Sequence, residues 1–217
     1  MDSAAGLWAW IAVLGLGLFH GLNPGMGWLF AVSNGMQTRS AAGVFAALPP
    51  LAFGHLLAIA AVLLPVSLLA LYVAHFAWLR LLTGLSLVGF GIYKLVDARH
   101  PRLLARIGRR HLVLWSFLMA TSHGAGLMLA PFVLDLQHAR LALPAPLHHA
   151  GHALEGGLAT AVMATLLHTL AMIATSGAIA WLVYRWFGLR LLQKSWFNLD
   201  LLWAWLLILT GILAVAV

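Results

Sequence analysis

The sequence predicts an all-α integral membrane protein with six transmembrane helices arranged as two inverted three-helix repeats. Helices 1 and 4 are expected to break near Pro and Gly. Three observations carry this. First, of 217 residues 63% are hydrophobic and 8% charged, with a mean hydropathy of +0.98. Soluble domains run at roughly 25% charged residues. Twelve basic and five acidic side chains cannot cover a soluble fold of this size, which excludes a soluble globular domain, a disordered chain and a coiled coil. Second, apolar segments long enough to cross a bilayer recur along the chain. Third, histidine motifs recur in matching order in its two halves. The chain has no cysteine, so disulfides, zinc–thiolate sites, iron–sulfur clusters and thiol nucleophiles are excluded.

The spans fall at 7–32, 44–64, 76–96, 112–134, 157–184 and 199–217. The first is not a secretory signal, because it lacks a basic leading region and carries His20, Asn23 and Pro24 at its centre. Pro49–Pro50 marks a distortion in the second span, and Pro65 with Ser67 is the expected break after it. Together they form one membrane domain: repeat one at 1–98, a basic linker at 99–110 and repeat two at 111–217.

Charge placement gives the orientation. Arg39, Lys94, Arg99, Arg102, Arg106, Arg109, Arg110, Arg185, Arg190 and Lys194 share one side, and only Arg80 and Arg140 fall on the other. The positive-inside rule makes the first side cytoplasmic and puts both termini outside an inner (plasma) membrane. The net charge of +7 is thus a topology signal, not a sign of nucleic-acid binding. The linker arginines can touch anionic lipid. The bilayer is the expected partner, and a homo-oligomer or a larger membrane complex stays open.

The repeat is visible in short motifs. Phe-His-Gly-Leu-Asn-Pro-Gly-Met-Gly (19–27) is matched by Ser-His-Gly-Ala-Gly-Leu-Met-Leu-Ala-Pro (122–131). Phe-Gly-His-Leu-Leu-Ala-Ile-Ala-Ala (53–61) is matched by Leu-Leu-His-Thr-Leu-Ala-Met-Ile-Ala (166–174). Trp-Leu-Arg-Leu-Leu (78–82) is matched by Asn-Leu-Asp-Leu-Leu (198–202). An odd number of spans per half inverts the second half in the membrane, as in many secondary transporters.

His20, His55, His123 and His168 then lie near the bilayer midplane, two from each repeat. An imidazole in hydrocarbon needs a partner for its ring N–H and a use for its other nitrogen. Four at one depth can hold a transition-metal ion, whose identity imidazole does not select, or a haem, or line a proton path. Asn23, Ser122 and Thr169 are the expected polar neighbours. Asp200 sits at the start of the sixth span, where it can cap the helix or mark a cytoplasmic entry. The loop after span four carries His148, His149, His152 and Glu155. Three of these, His148, His152 and Glu155, share a helical face and can capture a metal or simply meet water. Tryptophans at span ends, Trp115 among them, read as an interfacial belt with no functional role.

The motif His20-Gly21-Leu22-Asn23-Pro24-Gly25, echoed by His123, Gly124 and Gly126, resembles the lysine-exporter-type (LysE-like) superfamily of small six-span transporters. The resemblance covers the whole chain. It implies two inverted three-helix repeats and export of amino acids or metal cations. The chain lacks the His-x4-Asp-His pattern of the nickel/cobalt branch and the cysteines of the thiol-redox branch. What matches is a histidine-rich, metal-exporter-like branch. The expected function is transport of a divalent transition-metal cation past the four histidines. An intramembrane haem- or metal-binding enzyme or redox subunit is the alternative, and an accessory subunit with structural histidines is a third.

Overall fold

The computed structural model describes residues 2–72, 76–96, 109–141, 150–187 and 199–216. Every element among them is helical. Helix α1 (Asp2–Leu22) passes through a 3-10 turn (Pro24–Met26) into α2 (Trp28–Thr38). The short α3 (Ala41–Phe45) leads to α4 (Leu48–Tyr72), followed by α5 (Phe76–Val96). Helices α6 (Arg109–Ser122) and α7 (Ala125–Leu141) meet at a bend of 63°. Helix α8 (Ala150–Leu182) ends in a π-helical turn (Val183–Phe187), and α9 (Leu199–Ala216) closes the chain.

Two stretches, Ala41–Leu69 and Gly156–Trp186, are long and apolar enough to cross a membrane, and the bent pair α6–α7 makes a third if it counts as one span. Apolar side chains also point out of the bundle: Leu85, Leu170 and Leu209 are 54%, 64% and 52% exposed. Outward apolar side chains of this kind suit lipid rather than water.

The breaks differ in detail from expectation. Helix α4 runs unbroken through Pro65, and Pro49–Pro50 occupy its first turn. Proline is favoured there because the first helical N–H groups have no partner to lose. Between α6 and α7 the chain turns at His123–Gly124, while Pro131 lies within α7. Helix α8 starts seven residues before the predicted span, so His152 and Glu155 are helical rather than in a loop. His148 and His149 lie outside the described residues.

Small residues set the spacing between helices. A Cβ on Gly17 or Gly21 of α1 would collide with the His168 or Met172 carbonyl of α8. One on Gly54 of α4 would collide with the Val113 carbonyl of α6. Helices α5 and α9 touch reciprocally. A Cβ on Gly91 would stand 2.9 Å from the Ala204 carbonyl oxygen and 3.1 Å from Ile208 N, and one on Gly211 would stand 2.6 Å from the Gly84 oxygen and 2.9 Å from Val88 N. Backbones this close pack without a hydrophobic drive, as helices in lipid must. The interior fill is aliphatic, with Val13, Ile59, Leu63, Leu129 and Val133 bringing α1, α4 and α7 together.

Candidate functional site

His20 lies in the last turn of α1, which cannot continue past Asn23–Pro24: proline has no N–H to donate and crowds the preceding turn. Asn23 caps the 3-10 turn, its Oδ1 accepting from Gly25 N at 2.9 Å. Gly27 then takes the left-handed conformation, φ 112°, that starts α2. The carbonyls freed by this break are not left bare. The Trp28 indole donates to Leu22 O at 3.1 Å, and Trp115, reaching across from α6, donates to Gly25 O at 3.2 Å. Trp115 is braced edge-on against Phe30. Trp115, expected in an interfacial belt without a role, instead satisfies a carbonyl of this break. The signal for its role was its placement on α6, opposite a break with open carbonyls.

The break turns His20 inward, where it meets two other imidazoles. The ring centroids of His20 and His55 are 5.3 Å apart, those of His20 and His168 4.7 Å, and those of His55 and His168 5.4 Å. All three side chains are fully buried. His20 Nδ1 donates to Leu16 O one turn back at 2.9 Å. His168 Nδ1 donates to Val13 O across the α1–α8 contact at 3.1 Å. In each neutral ring this leaves the lone pair on Nε2. The Nε2 of His168 and both nitrogens of His55 are buried with no hydrogen-bond partner.

His123 stands at the other break. Its Nδ1 donates to Met119 O at 2.7 Å, one turn back, as His20 does to Leu16. Its Cε1 lies 3.9 Å from where a Cβ on Gly25 would sit, so it faces the first break. The structure thus gathers all four predicted histidines into one region, with His20, His55 and His168 in direct ring contact.

The predicted polar neighbours divide. Asn23 is buried, with Nδ2 unpartnered, and Thr169 is buried beside His168 with its hydroxyl unpartnered. Ser122 donates to Met119 O at 3.0 Å, bracing the second break, and its hydroxyl stays 3.5 Å from His123 Nδ1. Asp200 lies in the first turn of α9. Two serines missed in the sequence tie helices together: Ser176 of α8 donates to Gly21 O of α1, and Ser116 of α6 donates to Leu51 O of α4.

Among the described residues, no group of three or more His, Asp or Glu side chains is placed to hold a metal ion as it stands. The ring planes explain why. Imidazole lone pairs lie in the ring plane, and the His55 and His168 rings are stacked with 5° between planes, so they share no common point. The spacing itself is suitable: nitrogens at about 2.1 Å from a tetrahedral ion put imidazole centroids roughly 5 Å apart.

No protein-family model, curated protein or solved structure matches the chain.

Proposed function

We propose that this protein is a six-span transporter of two inverted repeats that carries a transition-metal cation, as substrate, past His20, His55, His123 and His168. One observation carries the reading: His55, fully buried among apolar helices, has two unpartnered ring nitrogens and touches two further imidazoles. Leaving such groups unsatisfied costs about 1–3 kcal/mol each, and a cluster that keeps several of them suits a visiting ligand. A cluster whose ligands are imidazole nitrogens favours a borderline transition metal over magnesium or calcium.

The repeat architecture is supported by the α5–α9 contact. One shift along the chain carries Gly84, Val88 and Gly91 onto Ala204, Ile208 and Gly211, the two halves of the reciprocal contact. The same shift carries residues 78–82 onto 198–202. Both breaks, moreover, follow a histidine bonded to the carbonyl four residues back. Broken helices facing a buried polar cluster are where transporters of this architecture bind cargo. The lysine-exporter-type resemblance favours export, from an inner membrane with both termini outside. In the haem alternative the rings would need a macrocycle between them, and rings already in mutual contact weigh against it.

The test is metal flux in vesicles loaded with a metal-sensitive dye, run separately for Zn, Ni, Co, Mn and Cu. His55→Ala is expected to reduce flux of the transported metal at least tenfold while the protein stays folded. Equal flux in the wild type and His55→Ala, or a haem Soret band in the purified protein, would defeat the proposal.

A further inference from the structure

A second polar feature lies away from the histidines. A cleft of about 330 Å³ is lined by Met36 and Arg39 from the end of α2 and by Tyr184 and Arg185 from the π-helical turn after α8. Two arginines line it, and among the described residues no acidic side chain does. Two positive charges lining one cleft attract an anion from both sides.

Both arginines are held by unusual backbone. Arg39 is the only non-glycine residue at positive φ among the described residues, at φ 50° and ψ 35°, where it closes α2 with its N–H on Gly35 O and Met36 O. Glycine is the usual residue there, and a side chain costs about 1–2 kcal/mol. Arg185 and Tyr184 sit on a π turn, a rare form often found at functional sites. The Tyr184 ring lies against Gly35, at 3.2 Å from where a Cβ would stand, so the turn is docked on α2. Arginine's planar fork matches phosphate oxygens two at a time.

The flanking surface says which phosphate. Trp181, Leu182 and Trp186 are 40%, 46% and 73% exposed beside the cleft. Exposed tryptophans at the end of a long apolar helix mark headgroup depth. Met36 supplies an apolar wall.

We infer that Arg39, Tyr184 and Arg185 form a binding site for the phosphate of an anionic phospholipid headgroup. The site is independent of the histidine cluster, and a failure of metal transport would leave it standing.

The test is native mass spectrometry of the full chain from nanodiscs of phosphatidylglycerol mixed with phosphatidylcholine. The wild type is expected to retain phosphatidylglycerol preferentially. Arg39→Gly removes one guanidinium and also relieves the backbone, so its Tm should be equal or higher while retention falls about fivefold. Arg39→Gly with Arg185→Gln should lower retention roughly thirtyfold, because each basic group near the surface acts separately. Equal retention of the two lipids, or retention unchanged in the double variant, overturns the inference. A delipidated protein that binds inorganic phosphate but shows no preference for phosphatidylglycerol also overturns it, and would assign the cleft to a soluble anion.

Discussion

The chain breaks two helices after a histidine, and it does so by different means. After His20 the break is long and heavily built. It has an Asn23 cap, a proline-led 3-10 turn, a left-handed Gly27 and two indoles on the freed carbonyls. After His123 it is short. Gly124 alone goes left-handed, φ 69°, and α7 resumes at once with Met128 N donating to Gly124 O at 2.9 Å. The two breaks share only the histidine's bond to the carbonyl one turn back and a left-handed glycine. Those shared parts define the device, and the proline, the cap and the indoles belong to the first break alone. One of its braces, Trp115, comes from α6, the helix that leads into the second break.

The glycines should separate the breaks most strongly. In Gly27→Ala the new methyl meets Leu51 as well as an unfavourable φ, and we expect a loss of about 3 kcal/mol. In Gly124→Ala it meets the edge of Phe90 at 3.2 Å and Leu207 in ordinary contact at 3.6 Å, with an expected loss of about 1 kcal/mol. Thermal unfolding in detergent compares them, and equal losses would mean that the two breaks are equally rigid. Trp115→Phe comes next. It keeps the aromatic contact with Phe30 but bares Gly25 O, for about 1 kcal/mol. No change in stability would show that the indole is not needed to satisfy the turn. Pro131→Ala should matter least. Within α7 it restores an N–H where the helix already continues, so stability should be unchanged or higher. A fall of more than about 1 kcal/mol would reassign the second bend to proline.

Much of this was readable in advance, and the failures have physical causes. The positions of His20, His55, His123 and His168 and the Asn23–Pro24 break follow from apolar length and proline chemistry, which are local. Pro49–Pro50 misled because two prolines opening a helix look, in sequence, like two prolines kinking one. The early start of α8 was hidden by Gly156–Gly157, which are helical here although they carry loop character. The ring contacts of His20, His55 and His168 depend on how α1, α4 and α8 rotate about their axes, and hydropathy is silent on rotation. The arginine cleft depends on a left-handed arginine and a π turn, neither of which has a residue signature.

The bond from His168 Nδ1 to Val13 O joins two helices, unlike that of His20, which stays within one. At 3.1 Å it is already near the long end of hydrogen-bond range. If α1 and α8 part by about an ångström, the bond is lost and the ring is released to exchange tautomers or swing. Which nitrogen of His168 carries the proton therefore depends on the gap between two helices, a mechanical distance that sets a chemical state.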